Sequence, residues 1–148
     1  MSAINYDLIL KRSDEIRQGI SRIQEYLQVS LDQFVSDPKL IAAVKYECLV
    51  VIEAAIAICT HLASNVGSRV PENYPDCFLV LRESDIISED LTSRLVLMAR
   101  FRNLLMHRYW QIDDHRVYNV LKSDLPDLED FLREIGLFLR KRKNEKTK

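Results

Sequence analysis

Ile9, Ile16, Ile20, Ile23 and Leu27 recur at spacings of seven, four, three and four, so one face of the opening segment is apolar at the period of a helix. Asn5 stands where a side-chain oxygen can cap free amides, and the pattern predicts a first helix from Asn5 to near Ser30. Asp37 followed by Pro38 opens a second helix, because the aspartate caps and proline is tolerated in the first turn. Its stripe is Leu40, Val44, Cys48, Val51, Ala55, Cys59 and Leu62. Val50, Ile52, Ile56 and Ile58 make further faces apolar, which predicts burial on several sides up to Gly67. Residues 67–87 contain Gly67, Pro71 and Pro75 and read as a loop with a short helical turn around Cys77 to Arg82. Ser88, Glu89 and Asp90 place a cap and favourable charge at the start of a third long helix, whose apolar stripe begins Leu91, Leu95, Met98. Asp113 and Asp114 predict a short helix through Lys122. Asp124 with Pro126 then predicts a last one carrying Leu128, Phe131, Ile135, Phe138 and Leu139. The expected fold is all-α, an up-down bundle of four to five helices in one domain over 1–148, with residues 140–148 as a basic tail.

Composition supports this reading and narrows the function. Three glycines and four prolines are few for a β protein of 148 residues, which needs frequent turns. The three cysteines are odd in number and lack close pairs, so neither a disulfide framework nor a zinc knuckle is expected, and a reducing cytoplasm is the natural home. No basic patch followed by an apolar run opens the chain, so no signal peptide is read. The most apolar stretch, Cys48 to Cys59, contains Glu53 and falls short of the ~20 apolar residues a bilayer requires; no membrane span is expected. No histidine has a glutamate three residues before it, which excludes the di-metal bundle motif, and no metal is expected. The net charge is −1 but uneven: Glu72 to Asp90 sums to −5, Arg94 to Arg116 to +3 and residues 140–148 to +5.

The central basic cluster surrounds Arg102-Asn103-Leu104-Leu105-Met106-His107-Arg108-Tyr109. On a helix, Arg102 falls in the stripe that runs through Met98 to Leu105 and Tyr109, where apolar side chains are expected. A guanidinium keeps its charge, so an anion or a wet cleft must face it. Arg102 and Tyr109, seven apart, share a face on a regular helix, whereas Arg102 and His107 lie roughly 140° apart. Either the helix unwinds near Met106, or a two-fold axis pairs two copies so that both sets of residues line one groove; the paired groove is the favoured reading. Asn103 is four residues before His107 and can orient the imidazole. An arginine for a phosphate and a histidine for a proton suffice to cleave RNA without a metal, because the 2′-hydroxyl is the nucleophile. The alternative is structural: Arg102 pairs with a core carboxylate such as Glu53, and His107 caps carbonyls.

The pattern R-N-L-L-M-H-R-Y, together with the preceding helix from Leu91 and the long apolar helix from Pro38 to Val66, resembles the signature of HepT toxins in the HEPN superfamily. That resemblance implies a HEPN-like homodimer with metal-independent endoribonuclease activity. In it Arg102 and His107 would be catalytic, Asn103 supporting, and Tyr109 the site where an MntA-type nucleotidyltransferase antitoxin places AMP. The partner would use the ATP, so this chain needs no cofactor. RNA is the implied substrate. A non-catalytic nucleotide-binding or adaptor HEPN module that partners a nucleotidyltransferase is the alternative within the same fold. Glu53 is a possible secondary site residue. His61 reads as a cap near the end of its helix, His115 as an exposed neighbour of Arg116, Cys48 and Cys59 as core packing, and Tyr118 and Trp110 as candidate buttresses of the motif.

Overall fold

The computed structural model describes residues 3–146, and among them there are six α-helices and no strand. They are α1 (Tyr6–Tyr26), α2 (Leu31–Val35), α3 (Pro38–Val66), α4 (Tyr74–Glu83), α5 (Glu89–His107) and α6 (Asp114–Lys146), with a three-residue 3-10 turn at Tyr109–Gln111 between the last two. The three expected caps all form: Asn5 accepts from the Leu8 amide, Asp37 from Leu40 and Ser88 from Leu91. α3 is the central column, in contact with every other α-helix. That explains its apolar residues on several faces: Val44, Cys48, Val51, Ile52, Ala55, Ile56, Ile58, Cys59 and Leu62 are all buried. α1 lies closely along it, and a Cβ on Gly19 would stand 2.2 Å from a Val51 methyl.

Three elements depart from the sequence reading. α4 is a ten-residue helix where a loop with one short turn was expected. Pro75 sits in its first turn, where the missing N–H costs nothing, and Asn73 caps it by accepting from the Asp76 amide. The two helices expected around Asp113 and Asp124 are one continuous α6, with Pro126 inside it. The lost proline bond orphans only the Lys122 carbonyl; Lys122 and Pro126 are both exposed, so water can satisfy it, while buried Leu121, Leu125, Leu128 and Phe131 hold both halves of the helix to the core. The short α2, absent from the expectation, is set by a reciprocal capping box between Ser30 and Gln33.

α5 and α6 are clamped where Arg94 meets Asp127 at 2.6 Å and Asp130 at 3.0 Å. Tyr118 donates its hydroxyl to the Val29 carbonyl at 2.6 Å and packs its ring on Phe34, so it fastens α6 to the α1–α2 link and does not buttress the octapeptide. His61 caps a different helix from its own: its Nε2 accepts the Asn5 amide at 2.9 Å and fixes the start of α1. No helix among the described residues is long and apolar enough to cross a membrane.

Candidate active site at the carboxyl end of α5

α5 delivers the octapeptide to the bundle surface and stops within it. The helix ends at His107, and Arg108 leaves helical geometry at φ −136° and ψ 38°. Arg102 lies five residues before the helix end on its packed side, with its side chain 13% exposed. Its Nε donates to Glu53 Oε1 of α3 at 2.5 Å, and its Nη1 donates to Asn103 Oδ1 at 3.2 Å. The guanidinium lies over the Tyr74 ring of α4, 5.0 Å from the centroid. The anion demanded by a charge on a packing stripe is therefore Glu53, in the same chain, as the structural alternative held. The compensation is partial in two respects. Glu53 is itself 44% exposed at the side chain, and three of the five guanidinium N–H groups have no protein acceptor among the described residues. Glu53 and Tyr74 also line a shallow groove of about 470 Å³ along the outer face of α3, with Ala57, Thr60, His61 and Ser64.

Asn103 turns its oxygen to Arg102, so it braces the arginine and not, as spacing suggested, the imidazole. His107 is the exposed last residue of α5. Both Arg102 and His107 are inside regular helix, so they remain roughly 140° apart around its axis within one chain.

Tyr109 is not on the Arg102 face of a continuing helix. It sits in the 3-10 turn after the helix end, because the chain must reverse from α5 into α6 within a few residues. What fixes it there is Lys45, which the sequence reading passed over. Lys45 Nζ lies 4.2 Å from the Tyr109 ring centroid and 3.0 Å from Asp114 Oδ1, the first residue of α6, with the lysine side chain only 6% exposed. Tyr109 itself is 46% exposed and Trp110 76%, so the turn presents aromatic surface to solvent. Lys45 and Glu53 are eight residues apart on α3, about 12 Å of helical rise, so α3 holds the arginine and the tyrosine of the motif at separate stations. The signal for Lys45 in the sequence was a cation set beside Val44 and four residues after Ile41, on the apolar side of a buried helix.

The basic cluster is weaker than its formal sum. Arg94 and Arg102 are answered by carboxylates, leaving Arg100, Arg108 and Arg116 as exposed arginines without an ion pair among the described residues. Among those residues no group of three or more histidine, cysteine, aspartate or glutamate side chains is placed to hold a metal.

Comparison with known proteins supplies the context. A family profile described as "Ribonuclease HepT-like" matches residues 16–135. The mRNA nuclease HepT of Shewanella oneidensis is 28% identical over 126 residues, covering 85% of this chain and 94% of that protein. The tRNA nuclease HepT of Aphanizomenon flos-aquae is 23% identical over 139 residues, 94% and 95% of the two chains. Among solved structures, a tri-AMPylated Shewanella oneidensis HEPN toxin in complex with MNT antitoxin superposes with a TM-score of 0.81 at 27% identity, over 88% of this chain and 98% of the toxin. The profile match, running from within α1 to within α6, places the chain in one family: it belongs to the Ribonuclease HepT-like family.

Proposed function

We propose that this chain is the toxin of a toxin–antitoxin pair, a homodimeric, metal-independent endoribonuclease acting in the cytoplasm and silenced when an MntA-type antitoxin transfers AMP from ATP to Tyr109. The observation that carries the reading is the state of Arg102: Glu53 and Asn103 hold it in place while most of its donors stay open. Its relatives are named as mRNA and tRNA nucleases, and a solved neighbour is an AMPylated toxin bound to its antitoxin.

Within one chain the arginine and histidine diverge around the helix axis, so a two-fold pair supplies the complete set. His107 of one copy takes the proton of the RNA 2′-hydroxyl, whose oxygen attacks the adjacent phosphorus. The 5′-oxygen leaves with a proton from His107 of the other copy, and Arg102 offsets the charge that builds on the phosphoryl oxygens. Tyr109 is half exposed, two residues beyond His107 in the turn that follows α5. Attack of its hydroxyl oxygen on the α-phosphorus of ATP, bound by the antitoxin, releases pyrophosphate and leaves a tyrosyl-AMP whose phosphate repels RNA.

The test is RNA cleavage by the purified chain in the presence of a chelator. Wild type is expected to cut, and Arg102→Ala and His107→Ala each to lose at least 100-fold in rate while staying folded. Incubation with the antitoxin and ATP should add the mass of AMP to wild type and none to Tyr109→Phe. An intact RNA substrate with wild type defeats the nuclease reading, and label on Tyr118 defeats the modification site. The second reading, a non-catalytic adaptor for a nucleotidyltransferase, draws on the same Glu53 pair, since a charge already answered needs no phosphate. It expects AMP transfer or antitoxin binding without any cleavage.

A further inference from the structure

Cys59 of α3 and Cys77 of α4 meet in the core, Sγ to Sγ 2.7 Å, and both residues are buried. A disulfide bond is about 2.0 Å long, so the two sulfurs are within a small side-chain adjustment of bonding distance. Neither was readable as a pair from sequence, because they are eighteen positions apart and on elements of which only one was expected as a full helix. The third cysteine, Cys48, stands three turns back along α3, and burial pushes its thiol up to about 12.

We propose that Cys59 and Cys77 form an oxidisable dithiol, a modification site that takes a low-molecular-weight disulfide of the glutathione class as oxidant and cross-links α4 to α3. Cys77 is suited to react first. Its hydrogen bond with Cys59 holds its thiol below the usual cysteine range, while burial raises Cys59. The Cys77 thiolate attacks one sulfur of the small disulfide, forming a mixed disulfide and expelling one small thiolate. Cys59 then loses its proton and attacks the Cys77 sulfur, expelling the second. One S–S bond forms in the protein and one breaks in the oxidant; two protein thiols are oxidised, and the two protons end on two small thiols.

For an oxidant to reach the pair, α4, a ten-residue helix connected by the 67–73 segment, has to open locally, which the proposal includes. The cross-link has a definite target. Tyr74 is one turn before Cys77 on α4, and its ring underlies the Arg102 guanidinium. Tying α4 to α3 therefore holds that ring against the arginine, whatever reaction the arginine serves.

The experiment equilibrates the reduced full-length chain with excess oxidised glutathione. The expected product is lighter by two hydrogens, keeps one titratable thiol after denaturation, gives a Cys59–Cys77 peptide on mapping, and melts roughly 5–10 °C higher. Cys48→Ala should behave like wild type, and Cys59→Ala should abolish the gain. Three remaining thiols, a persistent glutathione adduct in wild type, or a cross-link that includes Cys48 would each overturn the proposal. Should Cys59→Ala fail to fold, mapping of the Cys48→Ala protein decides the matter.

Discussion

Replacing Glu53 by glutamine separates the two readings of Arg102, because it removes one charge while keeping an acceptor for Nε. A phosphate on the open edge of the guanidinium would lie about 6 Å from the Glu53 carboxylate, where repulsion amounts to about 0.7 kcal/mol at the dielectric of water and about 2.8 kcal/mol at an effective value of 20. Glu53 is 44% exposed at the side chain, and its partner Arg102 only 13%, which puts the site between those limits. The expected relief is about 1.4 kcal/mol, roughly a tenfold tighter RNA complex. The measurement is fluorescence anisotropy of a labelled single-stranded RNA at fixed salt, comparing His107→Ala with His107→Ala/Glu53→Gln so that no substrate is consumed. Stability should change by less than ~1 kcal/mol, since an acceptor of the same shape remains. If affinity stays the same or weakens while the protein stays folded, no phosphate approaches this guanidinium, and Arg102 is a structural ion-pair member.

Asp114→Ala strands the nearly buried Lys45 with only the Tyr109 ring beside it; because Asp114 is 35% exposed at the side chain, the cost is about 2–3 kcal/mol, below the full penalty of a buried pair, and urea denaturation should show it. A cost under ~0.5 kcal/mol would mean that the lysine does not anchor the turn. Arg69 holds the Asp76 carboxyl at about 2 by hydrogen bonding, below its ordinary value, so the stability this group contributes is complete above about pH 4 and lost as pH falls toward 2. Urea midpoints across that window should fall for wild type and flatten for Arg69→Ala; equal slopes would refute the coupling. Gly19→Ala puts a methyl 2.2 Å from Val51 Cγ1 and should destabilise by about 1–3 kcal/mol, with Val51→Ala recovering most of the loss in the double variant.

Which parts of this molecule can be read from its chain follows from the range of the forces that set them. The starts of α1, α3 and α5 depend on a cap three residues from the amide it satisfies, and each was legible for that reason. α4 and α6 misled because proline is ambiguous at short range. Pro75 opens a helix and Pro126 is carried inside one, and the difference is made by Asn73 in the first case and by leucines packed on both sides in the second. The octapeptide shows the same divide at the site. Spacing located Arg102 and His107 on α5 and their angular separation, yet it put Tyr109 on the arginine's face by continuing the helix through it. The tyrosine is instead set by Lys45, sixty-four positions upstream, and by Asp114 across the turn. A tyrosine placed by a cation–π contact from α3 and an ion pair to α6, and proposed above as the site of AMP transfer, moves with the packing of those two helices. Substitutions at Lys45 or Asp114 should therefore reach Tyr109 chemistry while leaving the Arg102–Glu53 pair in place. Measured AMP transfer in Lys45→Met, set beside unchanged RNA affinity, tests that separation directly, and a parallel loss of both would show that the two stations on α3 act as one.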